Sequence, residues 1–242
     1  MAFYDEISKY YDEIFKVSKE QVDFISGIVG SKPKSILDIA CGTGNCAIEL
    51  SKKGYNLTAV DLDSKMIEEL SKKTATLNSD IKFSQANMMN LIDKLKDKKF
   101  DAIYCIGNSL VHLNDLNEIK EFFMEVKKLL NEDGVFIFQI INYDRILKEN
   151  IKFLPTINND FVPLSFKRFY EYDESINKIK FKTILEVEGK KIENEVDLFP
   201  LLYEQAIRLL EEVSFKEINT FGNFKKSDFD KESSYALIIE AK

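Results

Sequence analysis

The sequence predicts an α/β fold: a doubly wound, mostly parallel seven-stranded sheet carrying an inserted antiparallel β meander. Three observations predict it. Short apolar strands alternate with amphipathic helices over residues 35–141, which calls for right-handed βαβ crossovers and an open parallel sheet. A glycine-bearing segment, Asp38-Ile39-Ala40-Cys41-Gly42-Thr43-Gly44, follows the first of those strands. Over residues 161–199 a period of two then replaces helical periods.

The elements follow in order. Phe3, Ile7, Tyr10, Tyr11, Ile14 and Phe15 recur at helical spacing, and Val22, Ile25, Ile28 and Val29 mark a second helix before the Gly30-Ser31-Lys32-Pro33 break. A strand at 35–39 runs into the glycine segment. The helix after it ends at Lys52-Lys53-Gly54, a basic last turn with a glycine cap. Strands are expected at 55–60, 81–85 and 100–106, with a helix around 66–70. Leu116, Ile119, Phe122, Phe123, Val126, Leu129 and Leu130 form one apolar helix face, 131–134 a turn, and 135–141 a buried strand.

Ile179, Phe181, Leu185 and Val187, then Ile192, Val196 and Leu198, sit at period two, with a hairpin turn at Glu188-Gly189-Lys190. That pattern predicts about three antiparallel strands. A helix at 201–213 and strands at 215–220 and 235–241 return to the main sheet. The chain thus divides into an α/β domain of residues 1–150 and 201–242 and an inserted β subdomain of residues 151–200.

Composition excludes several functions. Over 242 residues, Lys+Arg 34 against Asp+Glu 41 leaves a net charge of −7, which disfavours a general nucleic-acid binder. Lys94, Lys96, Lys98 and Lys99 are interrupted by Asp97 and read as a solvated connection. The three cysteines, Cys41, Cys46 and Cys105, have no paired spacing, so neither a disulfide framework nor a zinc ribbon is expected. No apolar stretch spans a bilayer, and the aromatic, acidic start lacks a signal-peptide pattern. The expectation is a cytoplasmic protein without membrane or nucleic-acid partners; oligomeric state is left open.

Gly42-Thr43-Gly44-Asn45-Cys46-Ala47 satisfies a dinucleotide-binding pattern, and Asp61 follows Gly42 by about the spacing of a ribose-binding carboxylate. Asp38 argues the other way: a carboxylate repels a pyrophosphate and attracts a cationic group. So does the last pair of strands, which has no helix between its members.

Asp38-x-Ala40-x-Gly42-x-Gly44, the Val60-Asp61 strand end and the reversed terminal strand resemble the class I S-adenosylmethionine-dependent methyltransferases. Three further segments resemble their glycine/sarcosine N-methyltransferase-like branch: Cys105-Ile106-Gly107-Asn108-Ser109-Leu110-Val111-His112-Leu113, Asn142-Tyr143-Asp144, and Phe221-Gly222-Asn223-Phe224. The resemblance implies a Rossmann-like methyltransferase whose cofactor is S-adenosylmethionine, with S-adenosylhomocysteine as product.

By that resemblance Gly42 and Gly44 admit the methionine part, the Ala40 carbonyl accepts from its ammonium, and Asp38 complements its charge. Asp61 takes the ribose hydroxyls. Leu62, Met66, Asn87 and Met88 surround the adenine; asparagine at 87 replaces an acidic residue common in relatives. Cys105 and Ile106 contribute from the fourth strand end, and Tyr11 closes the site. Asn108, His112 and Tyr143 are candidates for lining the acceptor site, with no catalytic base assigned. The residues also admit simpler roles: Asp38 as a loop-ordering group, Asp61 as a helix cap, Met66 and Tyr11 as core, and the cysteines as structure.

The expected reaction is methyl transfer to nitrogen or oxygen of a small-molecule acceptor beneath the meander. Alternatives are a cofactor sensor or scaffold without turnover and a dinucleotide-dependent oxidoreductase. Glycine-methylating relatives carry an arginine just before Asn-Tyr-Asp to clamp the substrate carboxylate; Ile141 stands there, so free glycine is not the expected acceptor unless Arg145, Arg168 or Arg208 substitutes.

Overall fold

The computed structural model describes residues 7–96, 98–159 and 161–242. The opening pattern folds as a 3-10 turn at Ser8–Tyr10 and α1 (Tyr11–Ile14), and the second as α2 (Lys19–Val29). Phe3 and Asp97 lie outside the described residues. Ser18 starts α2 with a reciprocal cap: its hydroxyl accepts from Gln21 N at 3.1 Å, and its own N–H donates to Gln21 Oε1 at 2.7 Å.

The doubly wound part comprises β1 (Ser35–Ile39), α3 (Asn45–Lys52), β2 (Asn56–Asp61), α4 (Ser64–Leu77), β3 (Lys82–Gln85), α5 (Leu91–Leu95), β4 (Phe100–Cys105), α6 (Leu116–Leu129), β5 (Leu130–Ile141) and α7 (Tyr143–Lys148). A second sheet holds β6 (Phe153–Asn159), β7 (Leu164–Asp173), β8 (Lys178–Val187) and β9 (Lys190–Leu198). The chain then returns through α8 (Tyr203–Glu212), β10 (Ile218–Phe221) and β11 (Ala236–Ala241). The main sheet runs β10-β11-β5-β4-β1-β2-β3. Strands β1 to β5 are parallel to their neighbours among themselves, while β11 is antiparallel to both β5 and β10.

Successive residues of a strand face opposite sides, so each central strand feeds two cores. Leu37, Ile39, Ile103, Phe136 and Phe138 pack with Ile119, Phe122, Phe123 and Val126 of α6. Ile36, Leu57, Ala102, Tyr104 and Ile137 pack on the other face with Val22 and Ile25 of α2 and Ala47 and Leu50 of α3.

Five segments depart from the sequence reading. The meander has four strands, because β6 precedes it; Pro155 and a register shift between Leu154 and Ile157 break the alternation that would reveal that strand. Residues 131–134 belong to β5 as an irregular excursion, since pairing jumps from Phe100↔Leu130 to Ala102↔Val135. Helix α4 extends to Leu77, its last turns carrying Lys72, Lys73, Thr74 and Thr76 in place of an apolar face. The single-turn helices α5 and α7 are too short to show a period.

The second sheet is tied at both ends to the carboxyl side of the main sheet. Asn159 Nδ2 donates to Glu13 O of α1 at 3.3 Å, and Phe199 N donates to Val111 O, just past β4, at 2.8 Å. Its inner face therefore lies across the ends of β1 and β4.

Candidate functional site

Strand order reverses between β1 and β4, and in open α/β sheets ligands bind outside the strand carboxyl ends at such a switch point. The loop leaving β1 is shaped there by three left-handed residues: Ala40 at φ 56°, Gly42 at φ 55° and Gly44 at φ 77°. Glycine is required twice. A Cβ on Gly42 would come within 2.8 Å of the Tyr11 hydroxyl, and one on Gly44 would strike Leu70 of α4.

Two buried carboxylates flank this loop. Asp38 is 3% exposed, and the Tyr104 hydroxyl donates to its Oδ2 at 2.7 Å. Burial pushes the Asp38 carboxyl well above the usual carboxylate range; Tyr104 opposes that shift and the charge of Asp61 adds to it. Asp61 accepts from Gly42 N at 2.7 Å through Oδ2 and from Asp63 N at 2.9 Å through Oδ1. Burial raises it as well, against those two N–H donors. Two desolvated acids beside a glycine loop form a receptor for a cation, which fits a ligand bearing a sulfonium and an α-ammonium and opposes a pyrophosphate. Each Asp61 oxygen keeps a lone pair for a hydroxyl donor. The cap of α4 is Asp63, which accepts from Lys65 N at 2.7 Å.

The N-terminal segment is fastened onto the loop by a residue that sequence reasoning left without a role. Asp12 Oδ1 accepts from Thr43 Oγ1 at 2.5 Å and from Asn45 Nδ2 at 2.8 Å, and its Oδ2 pairs with Lys73. Burial lifts the Asp12 carboxyl, but the contacts with Lys73, Thr43 and Asn45 outweigh it and hold the pKa below the usual value. Tyr11, next in sequence, is thereby laid against Gly42. Partners so distant in sequence leave no local signal for this clasp.

Of the other expected site residues, Leu62 is 61% exposed beyond β2 and Met66 is buried in a cluster with Ile7, Ile14 and Phe166. Asn87 is exposed and caps a short turn, its Oδ1 accepting from Met89 N at 2.9 Å; Met88 is half-buried beside it. Cys105 is buried and Ile106 half-buried at the end of β4. Burial and the charge of Asp38 push the thiols of Cys41, Cys46 and Cys105 upward, so all three stay protonated.

On the acceptor side, the structure brings Asn108 and Tyr143 together and leaves His112 exposed. Asn108, at φ 70°, accepts from Ile141 N at 2.9 Å and donates to the Tyr143 hydroxyl at 3.0 Å. Gln139, a polar break in the apolar run of β5, fixes the same loop by accepting from Gly107 N at 2.8 Å. Tyr170 of β7 reaches Tyr143 from the second sheet, ring centres 6.4 Å apart. Burial raises both phenols.

The neighbours of Tyr143 are structural. Asn142, 1% exposed, caps α7 and donates to Ser234 O at 2.9 Å and Lys231 O at 3.0 Å, while Asp144 accepts from Tyr203 N at 2.8 Å at the start of α8.

A family model described as a methyltransferase domain matches residues 36–134. The glycine/sarcosine N-methyltransferase of Aphanothece halophytica is 27% identical over 226 residues, covering 93% of this chain and 82% of that protein. Among solved structures, an S-adenosylmethionine-dependent methyltransferase from Clostridium acetobutylicum ATCC 824 superimposes with a TM-score of 0.82 at 22% identity, over 99% of this chain and 98% of the other. CalS10, an amino pentose methyltransferase from Micromonospora echinaspora solved with S-adenosylmethionine bound, gives 0.66 at 12% identity, over 92% and 88%. These structural likenesses establish the fold. With the reversed terminal strand and the acid-flanked glycine loop, the chain has the fold of the class I S-adenosylmethionine-dependent methyltransferases and matches a methyltransferase domain over residues 36–134.

Proposed function

We propose that this methyltransferase acts on nitrogen of a small-molecule amine that sits between the ends of β4 and β5 and the inner face of the second sheet. The observation that carries this reading is the Asn108–Tyr143–Tyr170 cluster, which is buried and hydrogen-bonded and holds its phenols above their ordinary pKa. Such a cluster orients an acceptor and removes no proton from it. A neutral amine attacks through its own lone pair, whereas an alcohol needs a base. The relative from Aphanothece halophytica is named for N-methylation, which agrees with a nitrogen acceptor.

The cofactor supplies an electrophilic sulfonium methyl, so the protein's task is positioning. Asp38 and the Ala40 carbonyl face the ammonium, and Gly42 and Gly44 allow close approach. Asp61 receives the ribose hydroxyls. Leu62, Asn87 and Met88 border the adenine, Cys105 and Ile106 border the methionine part through their backbone, and Tyr11 excludes water from above; Met66, enclosed among Ile7, Ile14 and Phe166, belongs to the core.

Transfer of a labelled methyl group to a panel of amines and their hydroxyl counterparts tests the reading. Turnover of amines is expected; preference for the alcohols, or no transfer to any amine, would overturn it.

A further inference from the structure

The inner face of the second sheet is apolar at both ends and polar across its middle. One row, Phe166, Leu185 and Ile192 from β7, β8 and β9, packs with Tyr11 and Ile14 of α1 and with Met66. Another, Tyr170, Phe181 and Val196, packs with Tyr143 and Ile146 near the end of β5. Between the two lies a row that the register fixes as Arg168, Thr183 and Asn194, continued into β6 by Leu154.

This row is not satisfied internally. Thr183 is 0% exposed, and its Oγ1 is buried without a hydrogen-bond partner among the described residues. Arg168 spends one nitrogen on Pro155 O, with Nη2 donating at 2.7 Å, and its Nε is buried without a partner. A buried donor left unpaired is costly, so native chains keep few of them without a reason. A permanent cation, a hydroxyl and an amide aligned on adjacent strands, between the row packed on α1 and the row packed on Tyr143, have the chemistry of an oxyanion receptor.

We propose that Arg168, Thr183 and Asn194 form a subsite that holds a carboxylate or phosphate of the methyl acceptor, resting on the proposed amine reading. The guanidinium then stands on β7 of the second sheet, while Ile141, at the end of β5, places no cation beside the reacting nitrogen. Of the other arginines, Arg145 packs on the Tyr235 ring beside Glu149, its own Nε also buried without a partner among the described residues, and Arg208 pairs with Glu212 on α8; neither stands in this row. The acceptor is thus an amine joined through a spacer to an acidic group.

Steady-state methylation of glycine, longer ω-amino acids, phosphoethanolamine and uncharged alkylamines tests this. The wild-type enzyme is expected to favour the acidic amines over the uncharged ones by tenfold or more in kcat/KM; the carboxylate and phosphate arms identify which oxyanion is held. In Arg168→Met that preference should collapse through a raised KM, in Arg168→Lys it should return in part, and in Thr183→Val it should weaken. Cofactor affinity, measured by calorimetry in each variant, should stay within about twofold and so report an intact fold. Lys167→Met, on the opposite face of β7 where Lys167 pairs with Glu186, is the control and should keep the preference. Uncharged amines methylated as well as acidic ones, or a preference unchanged in Arg168→Met, would overturn the subsite and leave the amine reading standing. No turnover of any amine would overturn both.

Discussion

The hydroxyl of Tyr104 donates to Asp38 Oδ2 at 2.7 Å, joining two fully enclosed side chains on the adjacent strands β4 and β1. This bond aims the carboxylate at the loop and still leaves it short of compensation, because one neutral donor does not replace the hydration of an anion.

Asp38→Asn should therefore weaken binding and strengthen the fold. The folded-state pKa of Asp38 is raised, so from the ordinary carboxylate value upward the folded chain holds this proton more tightly than the unfolded chain. Ionisation works against folding across that window, and the penalty is complete above the folded value. Asparagine has no such proton and still accepts from Tyr104. The variant should be more stable than wild type by about 1–3 kcal/mol near neutral pH, the gap closing toward about pH 4, and should bind S-adenosylmethionine at least tenfold more weakly. Thermal melts at several pH values with calorimetry check both halves; a variant that binds normally sinks the prediction.

Asp61→Ala is expected to damage the fold as well as the site. Sequence reasoning makes Asp61 an acceptor of ribose hydroxyls or a helix cap; its bonds to Gly42 N and Asp63 N show that it pins two loops. Loss of those acceptors should cost about 1–3 kcal/mol in urea unfolding, alongside weakened cofactor binding. Asp61→Asn, which retains one acceptor oxygen, should fall between.

Asp12→Ala should release the lid without touching the loop backbone. Its expected signature is faster cofactor dissociation, read by stopped-flow fluorescence displacement, with a smaller change in association. Lys73→Met should do the same more weakly, since Thr43 and Asn45 still hold Asp12. Unchanged dissociation in both variants would make the clasp irrelevant to retention.

Asn142→Ala should lower stability by about 2–4 kcal/mol in urea unfolding, because one buried side chain caps α7 and anchors the carbonyls of Lys231 and Ser234. Asn142→Asp, which keeps the cap but loses the amide donors, should recover only part of that loss.

The main sheet was legible because each βαβ unit writes its own period, and the glycine loop because strand, turn and helix are contiguous there. What escaped detection depends on distance in sequence or on broken alternation. Strand β6 is hidden by Pro155 and its register shift, and Asp12 finds partners on α3 and α4 that share no pattern with it. Arg168 was legible as the first candidate among three arginines for an oxyanion contact; the register of β7, β8 and β9 is what sets it beside Thr183 and Asn194. Gln139 carried a faint signal, a single amide in the apolar run of residues 135–141.

Helix α1 is four residues long, a single turn, and one turn of helix has no stability of its own in water. Its shape is lent by the glycine loop through Asp12 on one side and by β6 through the Asn159–Glu13 contact on the other. Ordering this turn costs roughly 1–2 kcal/mol of backbone entropy per residue, and those two contacts are what offset it. A change at either of them therefore reaches the ligand site through the order of the first turn.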